Sequence, residues 1–224
     1  MTATERGNVK ITGVGTASGG DFGSVRITGE AIIQGEMRCE RFACTGTCSV
    51  EGGLSAKRLR LLGEAVLVGA LTADDLRLTG RIEASGGIRA RTMVVRGEVS
   101  TEGDLETDRL NARGAFDIGG LLNAGQADIR LYGPSRAQDI GGGVISVRRR
   151  GFRALKTWFT GSDAPELVAQ TIEGDDVYLE HTRADVVRGK RIELGPGCRI
   201  GRAEYSESLR RHKSAEVGEA RKEQ

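Results

Sequence analysis

Apolar and polar residues alternate along most of the chain, in short runs that end at a glycine. The runs VRITG at 25–29, LRLTG at 76–80 and IRLYG at 129–133 show this pattern. Alternation with a period of two predicts a β-strand with one buried face, because successive side chains of a strand point to opposite sides. We therefore expect a chain built from short strands.

The strands belong to a long repeat with a fixed period. One glycine series runs from Gly29 to Gly114 and a second from Gly35 to Gly120, and both recur every 17 positions. A fixed period of this kind predicts a repeat architecture in which each unit buries its apolar face against its neighbours. Two series of large apolar residues keep the same interval: Phe42, Leu59, Leu76, Met93 and Leu110, and Met37, Leu54, Leu71, Ile88, Leu105 and Leu122.

Each repeat divides into three strands separated by three corners. Counted from the first glycine of a repeat, offsets 2, 4, 8, 10, 13 and 15 are apolar or small, and the offsets between them carry most of the charge. The corners are the glycines at offsets 0 and 6 and a polar pair at offsets 11 and 12, such as Lys57-Arg58. Glycine suits a corner because it adopts backbone angles that a side chain forbids. The pattern predicts an all-β, three-sided parallel β-solenoid with about 17 residues per coil.

The repeat also predicts the limits of the domain. We expect one β-helical domain with regular coils, followed by looser coils in which the strand pattern returns more irregularly. A charged C-terminal tail is expected to be disordered because it contains few apolar residues. The expected segments are a short tail at 1–8, regular coils at 9–133, looser coils at 134–205 with an insertion at 148–166, and the charged tail at 206–224.

Composition narrows the choice of function. The chain has 34 glycines against one Trp, three Tyr and five Phe, which indicates a narrow core. Its 33 basic and 31 acidic residues nearly cancel, so net charge gives no reason to expect a nucleic-acid partner. There is no apolar run of signal-peptide or membrane-span length, which predicts a cytoplasmic protein with reduced cysteines.

Three of the four cysteines lie close together in CERFACTGTC at 39–48, which raises the question of a metal site. Cys39, Cys44 and Cys48 fall at offsets 10, 15 and 2, all of them inward positions of the repeat. Their spacings of five and four positions do not match a CxxC metal site. We therefore expect these cysteines, and Cys198 in a late coil, to pack in the core as small apolar side chains and to bind no metal.

The short strands, the 17-residue coil, the glycine corners and the segment IEGDDVYLEHTRADVVRGKRIELGPGCRI at 172–200 together resemble the bactofilin family of polymer-forming bacterial cytoskeletal proteins. The resemblance covers residues 8–205. It implies a right-handed parallel β-helix that assembles end to end, without nucleotide, into filaments or sheets that scaffold envelope-associated proteins. The membrane-targeting segment common in that family has no counterpart before Val9, so membrane contact is expected to be indirect.

The ends of a solenoid favour assembly for a physical reason. A terminal coil exposes unpaired backbone groups and the open end of the core unless something caps it. Stacking ends on one another buries both, and because such contacts do not close, the expected product is a filament of this chain, alone or with a paralogous chain. The candidate interface residues are Val9, Ile11, Val25 and Ile27 at one end and Ile192, Leu194, Ile200 and Tyr205 at the other.

An enzyme is the first alternative, because other β-helices carry active sites. The chain has two histidines, His181 and His212, and neither has a repeat-placed carboxylate or cysteine partner. The outward column at offset 11 alternates in sign, from Glu40 and Lys57 onward, which is typical of surface stabilisation rather than of a sugar or calcium site. We therefore expect no catalytic residue and no cofactor.

The second alternative is a monomeric or hetero-assembling adaptor that docks a partner or a membrane surface. It rests on RRRGFRALKTWF at 148–159, where aromatic and apolar residues fall at helical spacing among basic ones. The competing interpretation is that these aromatic residues fold back onto the flank of the solenoid. The candidate contact residues are Arg148, Arg149, Arg150, Phe152, Arg153, Trp158 and Phe159.

Overall fold

The computed structural model describes residues 7–149 and 164–223, which form β-strands and no α-helix. The chain divides into two compact units, Met1–Asp108 and Arg109–Gln224. The all-β prediction is confirmed. The strands are β1 (Asn8–Val50), β2 (Leu54–Leu67), β3 (Leu71–Ala84), β4 (Ile88–Thr101), β5 (Leu105–Leu131), β6 (Ser135–Arg149), β7 (Leu167–Leu179), β8 (Thr182–Leu194), β9 (Arg199–Arg211) and β10 (Glu216–Lys222).

The first unit is a regular parallel β-solenoid. Strands β1, β2, β3 and β4 pair in parallel in this order, and from Met37 onward the paired residues lie 17 positions apart, as Met37 and Leu54 do. The first coil is one residue shorter, because Asn8 and Gly7 contact Ser24 and Gly23 at an interval of 16. The ladder bends at the corners that the repeat predicts, for example at 51–53 and at Lys57. Long strands such as β1 run through several corners because the glycines there keep the ladder continuous.

The core of the first unit consists of the six inward offsets of each coil. Cys48, Val50, Leu54, Ala56, Leu59 and Leu61 supply one full turn of the core, and none is more than 5% exposed. The next coil repeats the arrangement in register. Parallel pairing therefore stacks each inward apolar side chain on an apolar counterpart in the next coil.

The first glycine series is required at its corner for two reasons. Gly63 has a φ of +131°, a conformation that L side chains rarely adopt. A Cβ atom at this position would lie 2.0 Å from the carbonyl oxygen of Gly46 in the preceding coil. Gly80 and Gly97 repeat both features, so the coils approach each other at this corner too closely for any side chain.

The second unit is a parallel solenoid with an uneven step. Strands β5 to β10 pair in parallel in chain order, and outside the insertion the step varies from 19 positions between Asp117 and Arg136 to 15 positions between Asp176 and Arg191. Ile140 pairs with Ile172 across the insertion. Strand β6 continues to Arg149, so the strand pattern persists past residue 148, and residues 150–163 lie outside the described part of the chain.

The prediction of a disordered tail at 206–224 is wrong for most of that segment. Residues 206–211 complete β9, and β10 at Glu216–Lys222 forms a further parallel strand on β9. Ala203 pairs with Ala220 at the interval of the regular repeat, and Gly201 and Gly218 are separated by the same interval, so the repeat continues to the described end of the chain. The high charge of this segment conceals the repeat, because its outward positions carry most of the charge.

Candidate assembly interface

The first coil of the solenoid keeps its inward side chains partly accessible. Val9 and Ile11 are half-buried, whereas Val25 and Ile27, at the corresponding positions of the next coil, are each only 1% exposed. Val9 and Ile11 are covered by the second coil on one side, and their remaining surface is apolar. Of the four residues predicted for this end, the structure therefore leaves Val9 and Ile11 available and places Val25 and Ile27 in the core.

This first coil is nevertheless well attached to the second. The backbone N–H of Gly23 donates to the carbonyl oxygen of Gly7 at 2.8 Å, and Ser24 Oγ donates to Asn8 Oδ1 at 2.8 Å. Val14, on the same coil, is 84% exposed. The coil is therefore an ordered surface with apolar side chains at its edge, which is the geometry that a stacking contact needs.

The residues predicted for the other end are not at the end. Ile192, Leu194 and Ile200 are 1%, 1% and 3% exposed. Strand β9 covers the first two through the pairs with Leu209 and Arg211, and β10 covers Ile200. The prediction was wrong here because it treated the segment that forms this last coil as a tail. Tyr205 is half-buried and pairs with Lys222.

The accessible apolar residues at the C-terminal end lie one coil further on. Leu209 and Val217 are half-buried, and Ala220 is exposed. Charged neighbours surround them, because β10 intersperses Glu216, Glu219, Arg221 and Lys222 with these smaller residues. The two ends thus differ: the first coil presents branched aliphatic residues, and the last presents a smaller apolar surface within a charged rim.

Two residues of the predicted docking segment, Arg148 and Arg149, are described, and both contact residues of neighbouring coils. The guanidinium of Arg148 lies 4.6 Å from the centroid of the Tyr178 ring. The backbone N–H of Arg149 donates to Glu180 Oε2 at 2.9 Å, and its side chain lies 3.3 Å from His181 Nδ1. The other candidates lie outside the described residues: Arg150, Phe152, Arg153, Trp158 and Phe159.

His181 occupies a corner of the second unit and adopts a left-handed backbone conformation. It has a φ of 45°, and its backbone N–H donates to the carbonyl oxygen of Pro196 at 2.9 Å. Burial and the nearby Arg149 lower the pKa of its imidazole, so the ring stays neutral at neutral pH. His212 forms a local contact with Ser214 Oγ at 2.8 Å. Both histidines therefore have local structural partners.

All four cysteines lie in the core, as their columns predict. Cys39, Cys44, Cys48 and Cys198 are free thiols, each no more than 7% exposed. Burial raises the pKa of Cys39 and of Cys198 to about 11, which keeps both thiols protonated at neutral pH. Among the residues that the structure describes, no group of three or more His, Cys, Asp or Glu side chains is placed to hold a metal ion.

A groove of about 640 Å³ in the second unit was not predicted from the sequence. Its floor contains Gly142, Gly174 and Gly189, which stack in register. Four of the charges on its walls are paired within the chain: Lys190 lies 3.1 Å from Asp175, and Arg188 lies 3.7 Å from Glu173. The groove thus arises where a glycine column leaves the corner without side chains.

These features define the class: a repeat-built parallel β-solenoid whose terminal coils keep accessible apolar residues. In the described ranges 7–149 and 164–223, no helix is long and apolar enough to cross a membrane.

Comparison with known proteins places the chain among close relatives. The chain is 54% identical over 223 residues to the uncharacterized protein YhbF of Bacillus subtilis, with 92% of each chain covered. It is 52% identical over 214 residues to the uncharacterized protein YhbE of the same organism, covering 88% of this chain and 90% of that one. The chain belongs to the family of these two proteins. No protein-family model and no solved structure matches it.

Proposed function

We propose that this protein is a cytoskeletal scaffold that polymerises end to end without nucleotide and positions envelope-associated proteins. The observation that carries the proposal is the contrast between the half-buried Val9 and Ile11 and the fully buried Val25 and Ile27 one coil on. An apolar coil that a folded chain leaves partly open is a surface that a second copy can cover.

Three further points support this proposal. The resemblance of the repeat and of residues 172–200 to bactofilins implies the same mode of assembly. The last coil offers Leu209, Val217 and Ala220 as a second apolar end. The described histidines have structural partners, and the described cysteines lie in the core. The half-buried apolar residues of the terminal coils have no such structural explanation, and assembly would supply one. The proposed location is the cytoplasm, at the inner face of the cell membrane.

The test is negative-stain electron microscopy of the purified chain at moderate salt, without nucleotide or metal, beside the double variant Val9→Asp, Ile11→Asp. Filaments are expected from the parent. Folded monomers are expected from the variant, because two carboxylates at the stacking surface lose hydration when a second copy covers them.

The matched control is Thr12→Asp with Thr16→Asp, which adds the same charge at exposed outward positions of the same coil. It is expected to form filaments like the parent. Circular dichroism of all three proteins establishes that each is folded. Monomers from the parent, or filaments of equal length from the Val9 and Ile11 variant, would overturn the proposal.

A further inference from the structure

The three outward faces of the first unit differ in charge, and two of them are nearly uniform in sign. We define the basic face by the outward residues at offsets 12, 14 and 16 of each coil, which run from the second corner residue to the end of the third strand and include six arginines and a single carboxylate, Asp75. The arginines stack in register, as Arg41 does with Arg58 and Arg60 with Arg77. The six arginines are Arg26, Arg41, Arg58, Arg60, Arg77 and Arg96.

We define the acidic face by the outward residues of the first strand and of the bend that follows it. This face carries six glutamates and a single cation, Arg81. Register places Glu64 beside Arg81, and Val66 beside Glu83. The glycine corner of Gly46, Gly63 and Gly80 separates the acidic face from the basic face. The six glutamates are Glu30, Glu51, Glu64, Glu83, Glu98 and Glu102.

The charges on these two faces are mostly not neutralised within the chain. Among the described residues, Arg26, Arg41, Arg58, Arg60 and Arg96 form no side-chain ion pair, and four of them line a groove of about 350 Å³. Glu30, Glu51, Glu64, Glu83 and Glu102 likewise form none.

The remaining face, formed by the second strand and its corners, behaves differently. Lys57 lies 3.1 Å from Glu40 there, and Arg89 lies 2.9 Å from Glu106. The sequence thus places charge partners next to each other on this face, whereas the basic face contains the pair Arg77–Asp75 at 3.5 Å and the acidic face the pair Arg81–Glu98 at 2.7 Å, and most of their other described charges have no partner on the same face.

Both charged faces also carry exposed apolar side chains close to the corner of Gly63, in β2 or directly after it. Leu62 lies on the basic face two positions after Arg60 and is 55% exposed. Val66 and Val68 lie on the acidic face and are 44% and 64% exposed. Apolar residues within a charged rim are the usual arrangement of a protein–protein contact.

We propose that the basic face of one copy binds the acidic face of a second copy side by side. The two faces suit each other in sign, each has an apolar centre close to the corner of Gly63, and both repeat at the same coil spacing of about 4.8 Å, so parallel copies keep charges in register. Because the contact joins two different faces, each copy leaves one face of each sign open, and the association continues laterally. This inference rests on the proposed scaffold function and adds a lateral contact to the end contact.

The experiment separates the lateral contact from the end contact by using the full chain with Val9→Asp and Ile11→Asp. Sedimentation velocity is measured at about 50 mM and about 500 mM salt, since screening weakens contacts between exposed charges. The lateral contact predicts oligomers at low salt that dissociate at high salt. If the end contact alone is wrong, this result still holds, and if the lateral contact alone is wrong, the parent still forms single filaments.

Charge-reversal variants identify the faces. Arg58→Glu with Arg60→Glu, and separately Glu64→Arg with Glu83→Arg, are each expected to weaken low-salt association by on the order of tenfold. Mixing the two variants is expected to restore it, because every charged face of one then opposes a face of the other sign. The control Arg38→Glu with Arg91→Glu changes net charge as the basic-face variant does, but on the remaining face, and is expected to associate like the parent.

Three results would overturn the proposal. Association that is unchanged by salt would show that charge does not drive it. An equal loss in the control would show that net charge matters rather than the face. A Val9→Asp, Ile11→Asp chain that stays monomeric at low salt, yet binds vesicles containing anionic phospholipid through Arg58 and Arg60, would assign the basic face to a membrane surface instead.

Discussion

Val217 lies one coil beyond Ile200 and pairs with it in the parallel ladder of β9 and β10. Ile200 is 3% exposed, and Val217 is half-buried. The two residues occupy the same inward column, so the difference in their exposure reflects only whether a further coil covers them. Ile200 is therefore part of the core, and Val217 is part of the C-terminal end surface.

This relationship predicts unequal effects for the same substitution. Ile200→Asp is expected to cost about 3 to 5 kcal/mol of unfolding free energy, because it buries an uncompensated charge. Val217→Asp is expected to cost about 1 kcal/mol or less, because its side chain can reach water. Urea unfolding followed by circular dichroism measures both values. Equal losses would show that Val217 belongs to the core.

The glycine corner gives a second paired prediction. Gly63→Ala is expected to cost at least about 2 kcal/mol, since it combines a positive φ with a Cβ atom 2.0 Å from the Gly46 carbonyl oxygen. Gly35 has a φ of +90° but no atom within 4 Å of an added Cβ, so Gly35→Ala is expected to cost about 1 kcal/mol from backbone strain alone. Thermal and urea unfolding of the two variants measure the difference. Similar costs would show that backbone strain, and not the close approach of the coils, requires glycine at this corner.

The repeat predicted the first unit in detail because one physical rule governs every coil there. Parallel pairing in register places each inward residue on its counterpart one repeat earlier, so Met37, Leu54 and Leu71 reveal the core directly. In the second unit the step varies, and the shift between Ile118 and Leu121 disrupts the fixed interval. Where corners contain extra or fewer residues, paired residues no longer lie at a fixed interval, so the 17-residue period does not predict which residues pair.

The candidate interface was only half predictable for a related reason. Val9 and Ile11 stand out in the sequence as the first members of apolar columns. At the other end, Val217 and Ala220 are small and separated by charged residues, so composition suggested disorder although the spacing from Ile200 and Ala203 continues the repeat. The charged faces were not predicted from the sequence. The totals of acidic and basic residues are nearly equal, and a total does not show that the two signs lie in separate columns.

The buried cysteines predict slow thiol chemistry. Cys39 and Cys198 combine burial with a pKa raised to about 11. The hydrogen bond with Cys48 lowers the pKa of Cys44, but Cys44 and Cys48 are only 2% and 1% exposed, so all four thiols are expected to resist a disulfide thiol reagent in the native chain at neutral pH. They are expected to react fully when the chain is unfolded in denaturant. The variant Ser55→Cys, at an exposed outward position, serves as a positive control and should react at once. Rapid reaction of the native parent would contradict core packing.

The last coils are expected to lose stability in acid because of one buried carboxylate. Glu204 Oε2 accepts a hydrogen bond from Arg188 Nε at 2.5 Å, its Oε1 lies 3.0 Å from Arg202 Nε in an ion pair, and its side chain is 8% exposed. The hydrogen bond from Arg188 holds the pKa of this carboxyl below its ordinary value of 4.5. The stabilisation is therefore complete above the ordinary value and is lost as the pH falls through the lower pKa of the folded chain.

Thermal unfolding between about pH 7 and about pH 3 should show this loss in the parent, and Glu204→Gln should be less stable at neutral pH with a flatter acid profile. Glu207→Gln, which removes a 52% exposed carboxylate, is the control and should keep the parent's profile. An unchanged acid slope in Glu204→Gln would mean that other carboxylates control this transition.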